Sequence, residues 1–240
     1  MTRSVAINVG ANTNEPGFRG PVFADGSFEF VPIPESEPTR AAVPTYGDLA
    51  SHLRTPIPDA LHETPVHLDP EFAEYPFGEA YTYGDPHGVK ARPLAALDEG
   101  DWALFYATLS TASDDPPGRQ APEWGTYLIG GFRLARDPVT DYEALSPAER
   151  EQFASNAHVK RETMDAAVLL LGAPDESRLF DQAVPLSGRE AGVDANRLVT
   201  DLSSDSGKGP WWRRPLRFDA AATVELFEVC ESRAFDRVQG

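Results

Sequence analysis

The sequence predicts an α+β fold with a mixed or antiparallel sheet, peripheral helices and a long proline-rich segment over about residues 36–93. Strand-like and helix-like segments follow one another without the regular strand–helix alternation of a doubly wound nucleotide-binding sheet. Two β-rich segments, Trp102–Leu109 and Thr126–Leu134, flank one polar, proline-containing loop, which is typical of antiparallel neighbours. With 240 residues, 41% of them hydrophobic, the chain can bury a sizeable core, and we expect one domain over residues 1–240.

The first third of the chain combines short strands with loops rich in glycine, asparagine and proline. Val5–Val9 is predicted as the first strand, and Phe28–Ile33 as a second strand whose prolines confine it to a sheet edge. The stretch Pro32–Pro93 holds 11 of the 22 prolines. Only one short helix, Tyr46–Leu53 capped by Thr45, is predicted there, so we expect this stretch to wrap against the body of the domain.

The second half of the chain combines capped helices with a buried strand. Ser146, Pro147 and Glu149 provide a capping box with proline at the first helical position, and the helix that they open should reach about Ser155. The remaining predicted elements are a buried strand over Ala167–Leu171, a short helix from Asp175 or Ser177 to Ala183, and a C-terminal helix that begins after Asp219.

The chain is strongly acidic and contains few lysines. The 38 acidic and 21 basic side chains give a formal net charge of −17, and only three of the basic residues are lysine. This composition is typical of a salt-loaded cytoplasm, whose ions screen self-repulsion, so we predict a halophilic source and conclude nothing about nucleic acid from the sign of the charge. No hydrophobic run approaches the roughly 20 residues of a membrane span, and the N-terminus lacks the pattern of a secretory signal. We therefore expect a cytoplasmic protein with no membrane partner.

The sequence lacks the signature motifs of several large enzyme classes, and it indicates no particular cofactor. It contains no GxxxxGKS phosphate loop and no GxGxxG, HExxH or GxSxG motif. Among the histidines only His62 and His67 approach a metal-ligand spacing; they would need a carboxylate as well, and we predict no metal site. The single cysteine, Cys230, lies in a helical pattern and is predicted as a buried structural thiol.

The loop after the first strand has the most unusual composition. It supplies short amide and hydroxyl side chains, exposed backbone N–H groups and one arginine, an inventory that suits a polar, planar or phosphorylated ligand. The alternative is a surface loop whose asparagine, aspartate and glycine residues only make turns. The candidate site residues here are Asn12, Thr13, Arg19 and Asp25, of which Asp25 is also a candidate catalytic group.

Residues 156–161 form the most chemically loaded hexapeptide. They place the imidazole of His158, the ammonium of Lys160 and the guanidinium of Arg161 close together in sequence, and in an extended chain His158 and Lys160 would share one face. Such a face could present a titratable group and a charge to one anion or one base edge. The alternative is that these charges pair with surrounding carboxylates, as Arg161 with Asp165.

Residues 206–217 form the one basic stretch interleaved with aromatic residues. Two tryptophans and four positive charges, Lys208 and Arg214 among them, lie within these twelve residues. Stacking on bases together with phosphate neutralisation requires this combination. The alternative is that Trp211 and Trp212 cover the core as a strap while the arginines pair with the acidic surface.

The opening VGANTNEPGFRGPVFADGSFEFVPIPE resembles the nucleotide modification associated domain, third type. Further matching segments follow in the same order: YTYGD at 81–85, GD with LFYATL at 100–109, NAHVKR at 156–161, and SRL at 177–179 leading to PLS at 185–187. The resemblance spans nearly the whole chain and implies a role in the synthesis or handling of modified bases in viral and cellular genomes. It brings no settled reaction and no catalytic residue set. Tyr83, within the matched YTYGD, is a further candidate ligand contact.

The segment GDWALFYATL…WGTYLIGGFRLARD is more weakly similar to the barrel-like domains of the pseudouridine-synthase-associated and EVE type. This similarity implies a partly barrel-like sheet, Gly130 and Gly131 close to a ligand, and a flipped-out base held by aromatic faces. Paired strands must also fill a core with alternate residues, so most of these aromatics are expected to be buried. Tyr106 and Trp124 are the candidate contacts, and Trp124 is expected to be the more accessible.

Together these features predict recognition or processing of a modified nucleobase or nucleotide in a DNA modification or defence system. As an enzyme, the protein would use His158 as general acid or base, Lys160 and Arg19 to hold phosphate or developing negative charge, and Asn12 with Asp25 to orient the base. As a reader, it would bind a flipped modified base without chemistry. As an interaction subunit, it would use its acidic surface within a modification complex. The expected partners are a nucleotide or modified DNA base, DNA itself and other proteins of a modification system.

Overall fold

The computed structural model describes residues 2–86, 88–112, 120–233 and 235–238, and its largest element is a six-stranded sheet. The strands are β1 (Ser4–Asn8), β2 (Pro21–Val22), β3 (Ile33–Pro34), β4 (Val66–His67), β5 (Thr82–Asp85), β6 (Trp102–Thr111), β7 (Trp124–Arg133), β8 (Val168–Leu171), β9 (Arg178–Pro185) and β10 (Leu216–Phe218). The α-helices are α1 (Tyr46–Ala50), α2 (Gly88–Leu94), α3 (Pro147–Glu151), α4 (Ala157–Lys160), α5 (Arg197–Thr200) and α6 (Ala220–Ser232). Single 3-10 turns span Asp59–Leu61, Tyr142–Ala144, Trp211–Arg213 and Phe235–Val238.

The main sheet is mixed and is buried on both faces. Its strand order is β10–β1–β6–β7–β9, with β2 beside the end of β6; β1 and β2 run parallel to β6, and the other neighbours are antiparallel. Successive residues of β6 alternate between two cores, since Phe105 packs in one hydrophobic cluster and Leu104 and Tyr106 in the other. The predicted α+β class is confirmed, and no sheet within the described ranges closes into a barrel.

Two small antiparallel sheets, β3–β4 and β5–β8, carry polar side chains into the interior. β5 packs on the main sheet through Tyr83, whose ring centroid lies 5.3 Å from that of Phe105. His67 at the end of β4 and Asp85 at the end of β5 are both buried. These two short sheets therefore place titratable groups next to the end of β1.

The chain leaves β1 through a tight turn at Gly10. Gly10 has a φ of +79°, and a Cβ at this position would lie 2.9 Å from the ring of Phe30, so no larger residue fits without displacement. The turn continues into a backbone bond from Ala11 N–H to the carbonyl of Val31 at 2.8 Å. This bond fixes the start of the loop that carries Asn12.

Most of the predicted elements are confirmed. β1, β6, β7 and β8 match the predicted strands within a few residues, and β6 and β7 pair antiparallel as expected. α1 begins after Thr45, α3 after Ser146 and α6 after Asp219, and in each case the capping side chain accepts a backbone hydrogen bond. The proline-rich stretch contributes Tyr46 to the core, in agreement with the predicted wrapping.

Three local predictions are wrong. The predicted helix up to Ala183 is the strand β9, because this segment satisfies the hydrogen-bonding edge of β7, and that tertiary pairing outweighs the local helix-start signal. The predicted strand Phe28–Ile33 is reduced to an isolated bridge at Phe28 and the two-residue β3. α3 ends at Glu151 rather than near Ser155, and turns follow it.

The predicted polar loop between β6 and β7 lies largely outside the described residues. Cys230 is half-buried in α6, where burial raises the pKa of its thiol to about 12. Gly130 and Gly131 pack against Phe72 and Leu104 in the two cores. Over the described part of the chain, none of the helices is long and hydrophobic enough to cross a membrane.

Candidate functional site

A cavity of about 410 Å³ opens where the end of β1 meets the two small sheets. This volume lies in the usual range for small-molecule sites. Its walls include polar groups from β1 and its following loop, from β4 and β5 and the residues after them, from α2, and from α4 with the residues after it: Asn8, Asn12, His67, Asp69, Tyr83, Asp85, Lys90, His158, Arg161 and Asp165. Five or more segments distant in sequence thus converge on one opening.

Two histidine–carboxylate pairs stand side by side in this cavity. His67 Nδ1 lies 2.6 Å from Glu35 Oε2, and His158 Nδ1 lies 2.7 Å from Asp165 Oδ1. The two imidazole rings meet edge to face with centroids 4.7 Å apart. Because each Nδ1 is held by a carboxylate, both rings have a fixed orientation.

Arg161 joins the two pairs. Its Nη2 donates to Glu35 Oε1 at 2.8 Å and its Nη1 donates to Asp165 Oδ2 at 2.6 Å. The predicted pairing of Arg161 with Asp165 is therefore present, but it belongs to a larger cluster that also contains Glu35. Four of the five members, Glu35, His67, His158 and Arg161, are buried.

His158 owes its position to α4 and to Gly84. Asn156 caps the single turn of α4 by accepting a hydrogen bond from His158 N–H at 3.0 Å. A Cβ on Gly84 would lie only 2.6 Å from His158 Cδ2, so glycine is required in β5 for the ring to approach. The segment is helical rather than extended, and the expectation that His158 and Lys160 share one face is wrong: His158 is buried and Lys160 is half-exposed.

Asp69 is the carboxylate on the other side of the two rings. Its Oδ1 accepts hydrogen bonds from Gly84 N–H and Asn156 Nδ2, both at 3.0 Å. Its Oδ2 lies 3.7 Å from His158 Nε2 and 4.0 Å from His67 Nε2. Asp69 thus faces the ring nitrogens that the outer carboxylates do not contact.

The electrostatics of the cluster depart from solution values. Burial raises the pKa of Asp69 well above its usual range, against the hydrogen bonds from Gly84 and Asn156. Burial lowers the pKa of His158 to about 4, helped by the neighbouring His67 and opposed by Asp165. Burial also disfavours ionisation of Glu35, but hydrogen bonds from His67 and Arg161 outweigh it and lower the pKa of Glu35 to about 2. Perturbation of this kind is typical of functional sites.

Lys90 is a wall group that the sequence analysis missed. It extends from α2 so that its Nζ donates to the backbone carbonyl of Asn8 at 2.7 Å. Burial lowers the pKa of Lys90, and the nearby Asp85 and Asp69 oppose this effect. On the same wall, the Tyr83 hydroxyl donates to Asp85 Oδ2 at 2.8 Å. The scarcity of lysine in this chain is the signal that could have pointed to Lys90.

A second cavity of about 250 Å³ adjoins the first, since Asn8 and Asn12 line both. Its other walls include Thr13, Arg19, Trp212 and Arg213. The Arg19 guanidinium lies 4.6 Å from the ring centroid of Trp124. The ring centroids of Trp124 and Trp212 are 5.5 Å apart. Burial lowers the pKa of Arg19. Part of the first loop and part of the basic stretch 206–217 therefore meet beside the main cavity.

The structure brings together some of the candidate residues and separates others. The main cavity receives Asn12, Tyr83, His158 and Arg161, and the adjoining cavity receives Thr13 and Arg19. Trp124, half-buried, touches this second group through Arg19. The remaining candidates line neither cavity: Asp25, Lys160, Tyr106, Lys208 and Arg214.

Each separated residue has an observed environment. Asp25 is exposed, accepts hydrogen bonds from Ser27, and lines a different cavity of about 320 Å³. Tyr106 is fully buried in the second core and donates to the carbonyl of Arg214 at 2.7 Å. Arg214 pairs with Asp205 at 2.8 Å and donates to the carbonyl of Lys208, which is itself exposed.

The α+β chain thus presents two oriented imidazoles, an ammonium and amide side chains to one cavity in the size range of small-molecule sites. The chain belongs to the nucleotide modification associated domain 3 family, whose model matches residues 3–228. Comparisons with curated proteins and with solved structures give no significant match. The match confirms the resemblance seen in the sequence, and the family's name suggests a role in nucleotide modification systems.

Proposed function

We propose that this protein is an enzyme that acts on a nucleotide or a modified nucleobase, with the 410 Å³ cavity as its active site. One observation carries the proposal: His67 and His158, each oriented by a carboxylate, open onto the same cavity as Asn12 and Lys90. Burying this many ionisable groups costs stability, and a hydrophobic replacement would serve a purely structural purpose as well. Catalysis, in contrast, requires ionisable side chains at the wall of a cavity, where a substrate can reach them.

Polar groups at the two cavities have distinct roles in the proposed reaction. The Asn12 amide can donate to and accept from the polar edge of a base. Lys90 in the main cavity and Arg19 in the adjoining one supply positive charge for a phosphate or for charge that develops in the reaction. The imidazoles of His67 and His158 contact the substrate's reacting end, where Asp69 completes the set.

A deletion and complementation experiment tests the proposal. DNA nucleosides are measured by mass spectrometry in a host lacking the gene and in the same host carrying wild-type protein or His158→Ala. We expect wild type to restore a modified nucleoside and His158→Ala to restore less than about 1% of it, because acid–base groups of this kind contribute about 10²–10⁴-fold to rate. His158→Gln, which keeps a polar side chain beside Asp165, guards against misfolding.

The matched control is His62→Ala. His62 is half-exposed and lies outside the cavity walls, so this variant should restore the wild-type nucleoside profile. A host profile that does not change when the gene is removed, or full complementation by both His158 variants, would contradict an enzymatic role.

A reader is the second candidate, and the cluster of Arg19, Trp124 and Trp212 favours it. The rings of Trp124 and Trp212 meet edge to face, and aromatic rings beside an arginine suit the bases and phosphates of a polynucleotide. If the protein is a reader, Trp124→Ala should weaken binding of modified DNA by about 5–150-fold in molar KCl, because base stacking contributes about 1–3 kcal/mol, whereas His158→Ala should bind as wild type does. Fluorescence anisotropy with labelled DNA measures both. Equal binding by wild type and Trp124→Ala would exclude this reader surface.

A further inference from the structure

Three side chains that commonly ligate metals converge at the base of the main cavity. His67, Asp69 and His158 each offer one ligand atom, and these atoms all lie within 4.8 Å of one another. The separations from Asp69 Oδ2 to the two Nε2 atoms, 3.7 and 4.0 Å, are too long for hydrogen bonds. Metal bonds of about 2.0–2.2 Å put neighbouring ligand atoms roughly 3.0–3.5 Å apart. Closing the three atoms around one ion would therefore shorten the separations from Asp69 by up to about 1 Å and the widest separation by up to about 1–2 Å.

The surroundings orient these atoms as in metal sites. The second ring nitrogen of a metal-bound histidine usually donates a hydrogen bond to a carboxylate. This bond fixes the orientation of the ring and raises the basicity of the imidazole. Here Glu35 holds Nδ1 of His67 and Asp165 holds Nδ1 of His158, so both Nε2 atoms face Asp69. Asp69 is itself fixed through Oδ1 by Gly84 and Asn156. All three ligand side chains thus have an outer partner.

Arg161 sets the geometry of both outer carboxylates at once. It donates to Glu35 and to Asp165 from opposite ends of one planar guanidinium. Glu35 and Asp165 share this single guanidinium. A cation bound beside the buried Asp69 would offset the cost of burying an ionised carboxylate there.

We propose that His67, Asp69 and His158 bind one divalent first-row transition-metal ion. Two imidazoles and one carboxylate are the ligand set of catalytic zinc sites and of non-haem iron(II) sites, and both classes keep coordination positions open. The open side here faces the cavity, because all three ligands line it. The metal site rests on this geometry alone, and the proposed function supplies only the class of substrate, a nucleotide or nucleobase, that would meet the ion. With an ion bound, both nitrogens of each ring are occupied, so the two imidazoles would act on the substrate through the ion and not as free acid–base groups.

Metal loading of the full-length chain tests the proposal. Protein stripped with a chelator is dialysed against Zn²⁺ and, in parallel, Co²⁺ in molar KCl, and bound metal is counted by inductively coupled plasma mass spectrometry. We expect one ion per chain. Asp69→Asn and His67→Gln should lose stoichiometric binding, and Asp165→Asn should weaken it by about 10–100-fold, the usual effect of losing an outer partner. His62→Gln should bind as wild type does.

A second measurement keeps the test independent of variant folding. X-ray absorption fine structure of the cobalt-loaded wild type should show imidazole ligation. The absence of a stoichiometric ion, ligation by oxygen alone, or undiminished loading of folded Asp69→Asn and His67→Gln would each overturn the site. A stoichiometric ion in a protein whose removal leaves host nucleosides unchanged would instead overturn the proposed function and leave the metal site standing. An altered nucleoside profile without any bound ion would overturn the metal site and leave the proposed function standing.

Discussion

Arg161→Ala is expected to lower the free energy of unfolding by about 3–5 kcal/mol, the largest stability effect that we predict for a single side chain. Arg161 is buried and holds Glu35 and Asp165 through bonds of 2.8 and 2.6 Å. Among the described residues, its removal leaves the buried Glu35 with one charged or polar side-chain partner, His67. The cost of an uncompensated buried charge is much larger than the value of an exposed pair. Urea denaturation at fixed molar KCl measures the change.

Arg197→Ala is the matched control for this prediction. Arg197 and Asp201 have the same four-residue spacing and a similar separation of 2.8 Å, but both side chains are about half exposed. An exposed pair of this kind contributes only about 0.3–0.5 kcal/mol. If both variants lost the same small amount, the Glu35–Arg161–Asp165 cluster would have no special role in holding β3, β4 and α4 together.

Lys90→Met is expected to weaken nucleotide binding by about 10–150-fold. The Lys90 ammonium has three donors, and its bond to the Asn8 carbonyl holds it at the cavity wall. A hydrogen bond from a charged donor to a phosphate or base oxygen contributes about 1.5–3 kcal/mol, which gives this range of affinity. Methionine keeps the length and hydrophobic stem of lysine while removing the charge, so packing in α2 should change little.

Calorimetric titration with nucleoside 5′-monophosphates in molar KCl measures this effect. Arg92→Met provides the control, because Arg92 lies on the same helix but is exposed and outside the cavity walls. Arg92→Met should bind nucleotide with wild-type affinity. Equal affinities for Lys90→Met and wild type would remove Lys90 from the binding site.

The sequence predicts the regular part of the fold well because the signals there are local. The alternation in β6 and β7 and the capping residues Thr45, Ser146 and Asp219 act within a few residues of where they stand. The strand β9 could not be predicted in the same way. Its conformation depends on the free edge of β7, which only the tertiary structure supplies.

In the candidate site, too, the residues with a local sequence signal could be predicted and the others could not. Unusual composition pointed to Asn12, His158 and Arg161, and all three line the main cavity. Their partners Glu35 and Asp69 carry no local signal, because they come from short strands and turns whose register is set by distant pairing. The prediction of no metal site came from sequence spacing, which does not reveal that His67 at the end of β4 and Asp69 just after it lie beside His158 of α4.

The net charge of −17 also has a clearer meaning once the fold is known. Positive groups gather at the end of β1, where Lys90 and Arg161 line one cavity and Arg19 and Arg213 the next. Lys160, Lys208 and Arg214 lie elsewhere, so the convergence involves parts of the predicted basic segments rather than all of them. The adjoining cavity thus offers cationic groups without a carboxylate among the described residues of its wall, whereas the main cavity sets Lys90 and Arg161 among carboxylates.

A crystal structure of the protein soaked with the nucleoside 5′-monophosphate that binds best in calorimetry tests most directly where the nucleotide chemistry takes place. We predict density for the nucleotide in the 410 Å³ cavity, in contact with Asn12 and Lys90 and with its reacting end toward His67 and His158. Density found only against Trp124 and Trp212, or only in the separate cavity beside Asp25, would contradict the assignment of this cavity as the active site.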